Sequence, residues 1–92
     1  MNDYATGWVY VLRNPSLSGD PLKIGYTHQS VGERIKDLYS TGVPQKFEVL
    51  YQVLVSQPLL LEKAVHKSLE KYRVTDQREF FQCSINAEVQ MP

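Results

Sequence analysis

Cysteine is almost absent from this chain of 92 residues, which contains only Cys83. A single thiol excludes an internal disulfide framework and a zinc site built from several cysteines. Long hydrophobic runs are also missing, and the apolar stretch near the amino terminus is too short to span a bilayer or to act as a secretory signal. We therefore expect a cytoplasmic protein without a membrane partner.

Net charge is absent as well, because ten basic residues balance ten acidic ones. Proteins that coat nucleic acid by charge alone depend on many phosphate contacts, so this mode of binding is disfavoured. A small cationic site is compatible with the composition, since residues 59–78 contain five basic and three acidic side chains. Lysines on helices usually form only a solvated face, which makes this local excess weak evidence.

The composition is that of a folded domain. Hydrophobic residues make up 42% of the chain, and no low-complexity tract is present. A chain of this size buries about 60–70% of its unfolded surface, which is enough for one core. We expect a single domain over residues 1–92, with a core at about 7–83 and a frayed tail or final helical turn at 84–92.

Two strands begin the predicted fold. Residues 8–13 alternate and are mostly β-branched or aromatic, and residues 22–27 form a second run of this kind. The loop between them contains two prolines, a glycine and two serines, which predicts an antiparallel pair. Alternation places Tyr10 and Lys23 on one face of this pair, where Gly25 leaves space beside them.

The first helix has clear signals at both ends. Ser30 and Glu33 match a capping box, and apolar residues at helical spacing follow. Gly42 and Pro44 are typical of a helix end. Arg34 lies at the border of the apolar stripe, so its guanidinium can reach into a cleft while its stem covers the core.

A third strand and a second helix follow. Residues 47–55 form the best strand pattern, and because both of its faces are apolar we expect it to be central in the sheet. The second helix is predicted to begin near Ser56, with Pro58 in its first turn. Glu62 and His66 are four residues apart, so they lie on one side of this helix.

Five segments in this order resemble the GIY-YIG nuclease superfamily, and most closely its small phage and bacterial branch. The segments are residues 9–12, 23–27, 40–44, 61–66 and 78–81. Each is weak evidence alone, whereas five at the right intervals strongly favour the fold. The resemblance implies an α+β domain with a small antiparallel sheet of about three strands flanked by helices. The implied order is β-β-α-β-α with a short C-terminal segment.

The resemblance also implies a role for each site residue. Tyr10 would activate the attacking water, Arg34 would steady the phosphate, and Glu62 would hold one Mg²⁺ or Mn²⁺ ion. Lys23 stands where the family usually has a second tyrosine, as it does in some similar restriction enzymes, and this substitution leaves open which group relays the proton. We include His66 as a catalytic candidate, acting beside Glu62 at the metal or at a phosphate.

Cleavage of a phosphodiester is chemically compatible with these residue types. A general base contributes about 10²–10⁴-fold, so Tyr10 cannot supply the whole rate enhancement. A metal ion polarises the phosphoryl oxygens, and the charges of Lys23 and Arg34 offset the negative charge that grows in the transition state. An unperturbed tyrosine has a pKa near 10, so Tyr10 acts either as a phenolate favoured by nearby cations or by orienting a metal-bound hydroxide.

Each candidate also has a plainer interpretation. Tyr10 can be a cross-strand aromatic and Lys23 an edge-strand charge. Glu62 can favour a helix start, and His66 can be a surface histidine. Our leading hypothesis is a metal-dependent nuclease that hydrolyses DNA. The alternatives are a degenerate module of the same fold that binds nucleic acid or protein, and a purely structural phage or host-interaction protein. A homodimer or a larger assembly is left open.

Overall fold

The computed structural model describes residues 6–39, 45–74 and 77–82. Two of the predictions lie outside these residues. They are the glycine and proline at the end of the first helix, within residues 40–44, and the tail at 84–92. The segment at 40–44 that contributes to the family resemblance lies outside them for the same reason.

The described residues form an antiparallel sheet with two helices, which confirms the predicted α+β class. The strands lie in the order β3-β1-β2-β5-β4. The C-terminal segment joins the sheet as a hairpin, so the described part of the chain forms five strands instead of about three. The elements are β1 Gly7–Arg13, β2 Leu22–Thr27, α1 Val31–Tyr39, β3 Glu48–Val55, α2 Pro58–Ser68, β4 Arg73–Val74 and β5 Gln77–Phe81.

The sheet separates two apolar clusters, because alternate residues of its strands point to opposite faces. One cluster joins β1, β2 and β5 to the C-terminal part of α2. Its buried members are Val11, Leu22, Ile24, Leu69 and Phe81. The other cluster lies on the side of α1. Its buried members are Tyr10, Leu12, Val31 and Phe47.

The predicted central position of the third strand is wrong. β3 lies at the edge of the sheet and pairs only with β1 among the described strands. Apolar residues on both faces usually indicate a strand that is covered on both sides. Here most of these side chains are exposed, as in Tyr51 and Leu54. The helices instead cover β1 and β2, whose burial is nearly complete.

Local sequence explains where the helices begin. The backbone amide of Glu33 donates to Ser30 Oγ over 3.1 Å, which confirms the predicted cap of α1. α2 begins at Pro58, two residues later than predicted, and its N-cap Gln57 makes no side-chain capping bond. A proline is favourable there because its missing N–H would have no partner in the first turn. Neither described helix is long and apolar enough to cross a membrane.

Candidate active site

Tyr10 and Arg34 meet on the side of the sheet that faces α1. Tyr10 lies on β1 directly opposite Gly25 of β2. Its ring occupies the space over this glycine, where an added Cβ would come within 2.7 Å of Tyr10 Oη. Arg34 Nε donates to the same hydroxyl over 3.3 Å. Alternation along β1 and β2 therefore gave the correct face for Tyr10, and Gly25 makes its position possible.

The electrostatic environment keeps Tyr10 protonated. Only 1% of Tyr10 is exposed, and this burial raises the pKa of its phenol above the ordinary value of 10.0. The hydrogen bond from Arg34 and its positive charge lower that pKa, and the charges of Glu79 and Glu62 raise it further. Burial is the largest of these effects. Tyr10 is thus a phenol at neutral pH in this structure, and its hydroxyl can donate a hydrogen bond.

A gap opens between β2 and β5. The two strands pair at Leu22 with Phe81 and at Lys23 with Phe80. Continuing this antiparallel register would join Ile24 to Glu79, but the carbonyl oxygen of Ile24 instead accepts a hydrogen bond from His66 Nε2 over 2.8 Å. A carbonyl oxygen can only accept a hydrogen bond, so His66 Nε2 carries the proton that it donates. α2 is therefore tied to β2 where the sheet separates.

Lys23 lies next to this gap and is held by an acidic residue of β5. Its ammonium is 2.7 Å from Glu79 Oε1 and 5.1 Å from the centre of the Phe80 ring. The side chain of Lys23 is 10% exposed, whereas that of Glu79 is 43% exposed. Burying an ammonium is costly unless it is paired, so Glu79 fixes both the charge and the position of Lys23.

Glu62 is a buried carboxylate at the wall of a cleft. Only 7% of the residue is exposed, and burial raises the pKa of its carboxyl above the ordinary value of 4.5. Its Oε2 lies 4.0 Å from His66 Nε2, and the charges of His66 and Lys23 oppose the rise in pKa. The spacing predicted Glu62 and His66 on one side of α2, and Glu62 is more buried than the neighbouring Leu61.

The cleft beside Glu62 has a volume of about 470 Å³. Its walls combine two carboxylates, two cations and an imidazole. The lining residues are Glu62, Lys63, His66, Arg73 and Glu79. Such a mixture can bind a hydrated cation and a phosphate together, because each finds opposite charges on the same wall.

Each of the five predicted site residues contacts a polar or charged side chain. Tyr10 contacts Arg34 and Glu62 contacts His66, whereas Lys23 contacts Glu79 of β5, which was not predicted. Only Glu62 and His66 are among the residues that line the cleft. The pairs are close enough to influence one another, since the charge of Glu62 raises the pKa of Tyr10 and that of Lys23 lowers the pKa of Glu62.

Glu79 connects the three pairs, although it was not among the predicted site residues. It binds Lys23 directly, and its charge raises the pKa values of Tyr10, Arg34 and Glu62. Its presence in the segment at 78–81 was the available signal. An ion pair that merely holds the terminal strand would use the same residue type, so the sequence alone did not separate the two roles.

The donor set fits a weakly chelated divalent cation. No group of three His, Cys, Asp or Glu side chains that could hold a metal occurs among the described residues. This excludes a fully protein-chelated zinc site within that part of the chain. Mg²⁺ binds differently, since it keeps several waters and takes one or two carboxylates together with substrate phosphate. Glu62 can supply such a carboxylate at the cleft wall.

Comparison with known proteins gives a family match and one viral relative. Residues 7–91 match the model of the T5orf172 domain. The chain is also 33% identical over 82 residues to Uncharacterized protein 460R of Invertebrate iridescent virus 6. That alignment covers 87% of this chain and 36% of the viral protein, so the chain spans about a third of this relative's length. No solved structure matches significantly.

Proposed function

The chain belongs to the T5orf172 domain family, which is associated with nuclease-like and DNA-binding functions, and from this premise we propose that it is a DNA endonuclease of the GIY-YIG type. The observation that carries the proposal is the cleft. It combines the buried carboxylate of Glu62 with cationic side chains, and the charge of Glu62 acts on Tyr10, whose hydroxyl Arg34 contacts. Cleavage of a phosphodiester by this route needs both the carboxylate and the cations.

The cleft supplies the charges that a phosphodiester requires. Lys63 and Arg73 on its wall would bind the phosphate of the DNA backbone, and Arg34 would reach the scissile group from the opposite side. Glu62 would hold one Mg²⁺ or Mn²⁺ ion, which when bound polarises phosphoryl oxygens and lowers the pKa of water. The Lys23 ammonium, held by its β5 partner, would offset negative charge in the transition state.

Tyr10 orients the attacking water in this proposal, and it does not remove the proton as a phenolate. Its raised pKa leaves the proton on the hydroxyl at neutral pH, and its contact with Arg34 fixes the direction of the hydroxyl. His66 is a positioning residue. Its Nε2 is bound to the Ile24 carbonyl, so the ring holds α2 and the nearby Glu62 carboxylate at the gap between β2 and β5.

Plasmid cleavage by matched variants tests the proposal. Supercoiled DNA is incubated with the protein in Mg²⁺, in Mn²⁺ and in chelator, and nicked and linear products are measured. We expect cutting that needs the metal, and a loss of at least about 10²-fold in Glu62→Gln because one charged metal ligand is removed. Glu33→Gln is the control, since Glu33 lies on the exposed side of α1 and also loses one carboxylate.

Two results would contradict the nuclease assignment. One is cutting that survives in Glu62→Gln, which would place the activity elsewhere or in a contaminant. The other is an equal loss in Glu62→Gln and Glu33→Gln. Circular dichroism and thermal unfolding of both variants establish that the fold is retained, so that a loss of activity is a loss of chemistry.

One observation favours a second candidate, a module that binds DNA without cutting it. The hydroxyl of Tyr10 is buried and already engaged by Arg34, so a substrate reaches it only if Arg34 moves. Wild-type protein that binds DNA but yields no cleavage in either metal would establish this function. Soaking with a phosphodiester analogue and observing the Arg34 side chain would then show whether the hydroxyl ever becomes accessible.

A further inference from the structure

The free edge of β3 is an exposed apolar strand outside the cleft. β3 is eight residues long, and among the described strands it pairs on one side only, with β1. Its other side leaves backbone amides and carbonyls without sheet partners there. An unpaired strand of this length is a template for pairing with another chain.

The side chains of β3 make this edge unusually apolar. Four of its large hydrophobic residues are well exposed, and they lie on both faces of the strand. They are Val49 (40%), Leu50 (39%), Tyr51 (47%) and Leu54 (54%). A contiguous exposed apolar surface of this kind typically marks an interaction site.

Three of the usual protections of an edge strand, namely lysine, proline and shortness, are missing from β3. Proteins commonly place lysine, proline or inward-pointing charges on such strands, or keep them very short. The only charged residue in β3 is Glu48, at its first position. The opposite edge of the sheet differs, because β4 has only two residues and one of them is Arg73. The bulge against β1 affects β3 near Leu50 and leaves residues 51–55 regular.

We propose that two copies of this chain pair through β3, antiparallel across a twofold axis, and so form one continuous sheet of ten strands. In such a dimer one residue of the strand must face itself. An axis at Gln52 places Tyr51 opposite Val53 and Leu50 opposite Leu54. Every exposed apolar residue of this segment then meets an apolar partner, and the two Gln52 amides can exchange hydrogen bonds.

The self-complementary sequence of β3 favours a second copy as its partner, and charge favours an axis at Gln52. An axis at Tyr51 would bring Glu48 opposite Leu54 and would desolvate its carboxylate, which Arg13 holds at 2.7 Å. An axis at Gln52 leaves Glu48 beyond the paired segment. The strand is then free of charge over its paired length, so two identical strands meet without like-charge repulsion. This inference is independent of the proposed nuclease activity.

Sedimentation equilibrium of wild type and matched lysine variants tests the dimer. We expect wild type to sediment as a dimer at micromolar concentration. Leu54→Lys should raise the dimer dissociation constant at least tenfold, because two lysines would enter the paired segment. Tyr39→Lys is the control, since Tyr39 is 42% exposed on α1 and lies outside the proposed interface. A wild type that is monomeric up to millimolar concentration would overturn the proposal, and β3 would then belong to a partner of different sequence.

Cross-linking tests the register separately. In a Cys83→Ser background, Gln52→Cys places one thiol at the proposed axis, and facing positions of antiparallel strands are close enough for a disulfide. We expect a disulfide-linked dimer on mild oxidation, and at least tenfold slower linking for Tyr39→Cys in the same background. Equal rates for the two variants would contradict an axis at Gln52. Thermal unfolding of each variant checks that the monomer fold is intact.

Discussion

At the scale of single residues, the site depends on the absence of a side chain. Gly25 is the floor on which the Tyr10 ring lies, and an added methyl group would clash with the ring and its hydroxyl. The hydroxyl is also the atom that Arg34 contacts. A change at position 25 would therefore act on the proposed chemistry through Tyr10.

Gly25→Ala should displace the Tyr10 ring and break its contact with Arg34. We expect a loss of stability of about 1–3 kcal/mol from overpacking, and about a 10²-fold loss of cutting because a catalytic group is misplaced. Gly32→Ala is the matched control, since its Cβ would have no neighbour closer than 3.9 Å and α1 would gain helix propensity of up to about 1 kcal/mol. Equal effects of both alanines on cutting would refute this role of Gly25.

Glu62 should make stability depend on pH in a defined direction. Burial raises its pKa in the folded protein, so the folded state favours the protonated acid and the ionised form is destabilising. This cost is complete above the raised pKa and disappears as the pH falls below the ordinary value of 4.5. Glu62→Gln should therefore raise Tm at pH 7, and this increase in Tm should vanish as the pH falls below 4.5.

The measurement is thermal unfolding of wild type and Glu62→Gln from pH 4 to pH 8 without divalent metal. A gain that stays constant across this range would contradict the raised pKa. The same proton competes with a cation for the carboxylate, so Mg²⁺ should raise the Tm of wild type less as the pH falls through this interval. Glu62→Gln should lack the metal effect at every pH.

At the scale of elements, β5 completes the site from the other side of the gap. It contributes Glu79 to the Lys23 ammonium, which is almost fully buried. Removing the carboxylate leaves a buried charge without its partner, whereas removing the lysine leaves a carboxylate that is half in water. Loss of the Glu79 carboxylate should therefore destabilise the protein more than loss of the Lys23 ammonium.

Glu79→Gln should destabilise the protein by about 1–3 kcal/mol, because Lys23 stays buried with a weaker acceptor. Lys23→Met should cost less than about 1.5 kcal/mol, since an apolar side chain of similar length fills the same space. Urea unfolding of both single variants and of the double variant measures the pair directly. A larger loss for Lys23→Met than for Glu79→Gln would refute the asymmetry.

The strands also show which parts of the fold could be predicted from sequence. Alternation gave β1, β2 and their shared face correctly because successive side chains of a strand point to opposite faces. The prediction for β3 was wrong, because an apolar pattern shows that side chains can be buried and does not identify what covers them. The partner of Lys23 could not be found either, because β5 meets β2 over only two paired positions and nothing local specifies that register.

At the scale of the whole molecule, zero net charge favours a small cationic area for the proposed DNA binding. Two cations, Lys63 and Arg73, line the cleft, and a third, Arg34, contacts the Tyr10 hydroxyl. Three phosphate contacts predict a slope of about −3 for log K against log salt concentration on duplex DNA. Fluorescence anisotropy with Glu62→Gln in chelator measures this slope without cutting, and a slope of −6 or steeper would mean a much larger contact surface.

The position of Glu79 in the chain has a consequence for how the protein is made. Glu79 lies 56 positions after Lys23 in the chain, on the last strand of the described sheet to be synthesised. While the ribosome is still translating, β2 has no β5 beside it and the Lys23 ammonium has no acidic neighbour from that strand. Until β5 has been made, the Lys23 side chain therefore lacks the carboxylate that holds it in the folded protein.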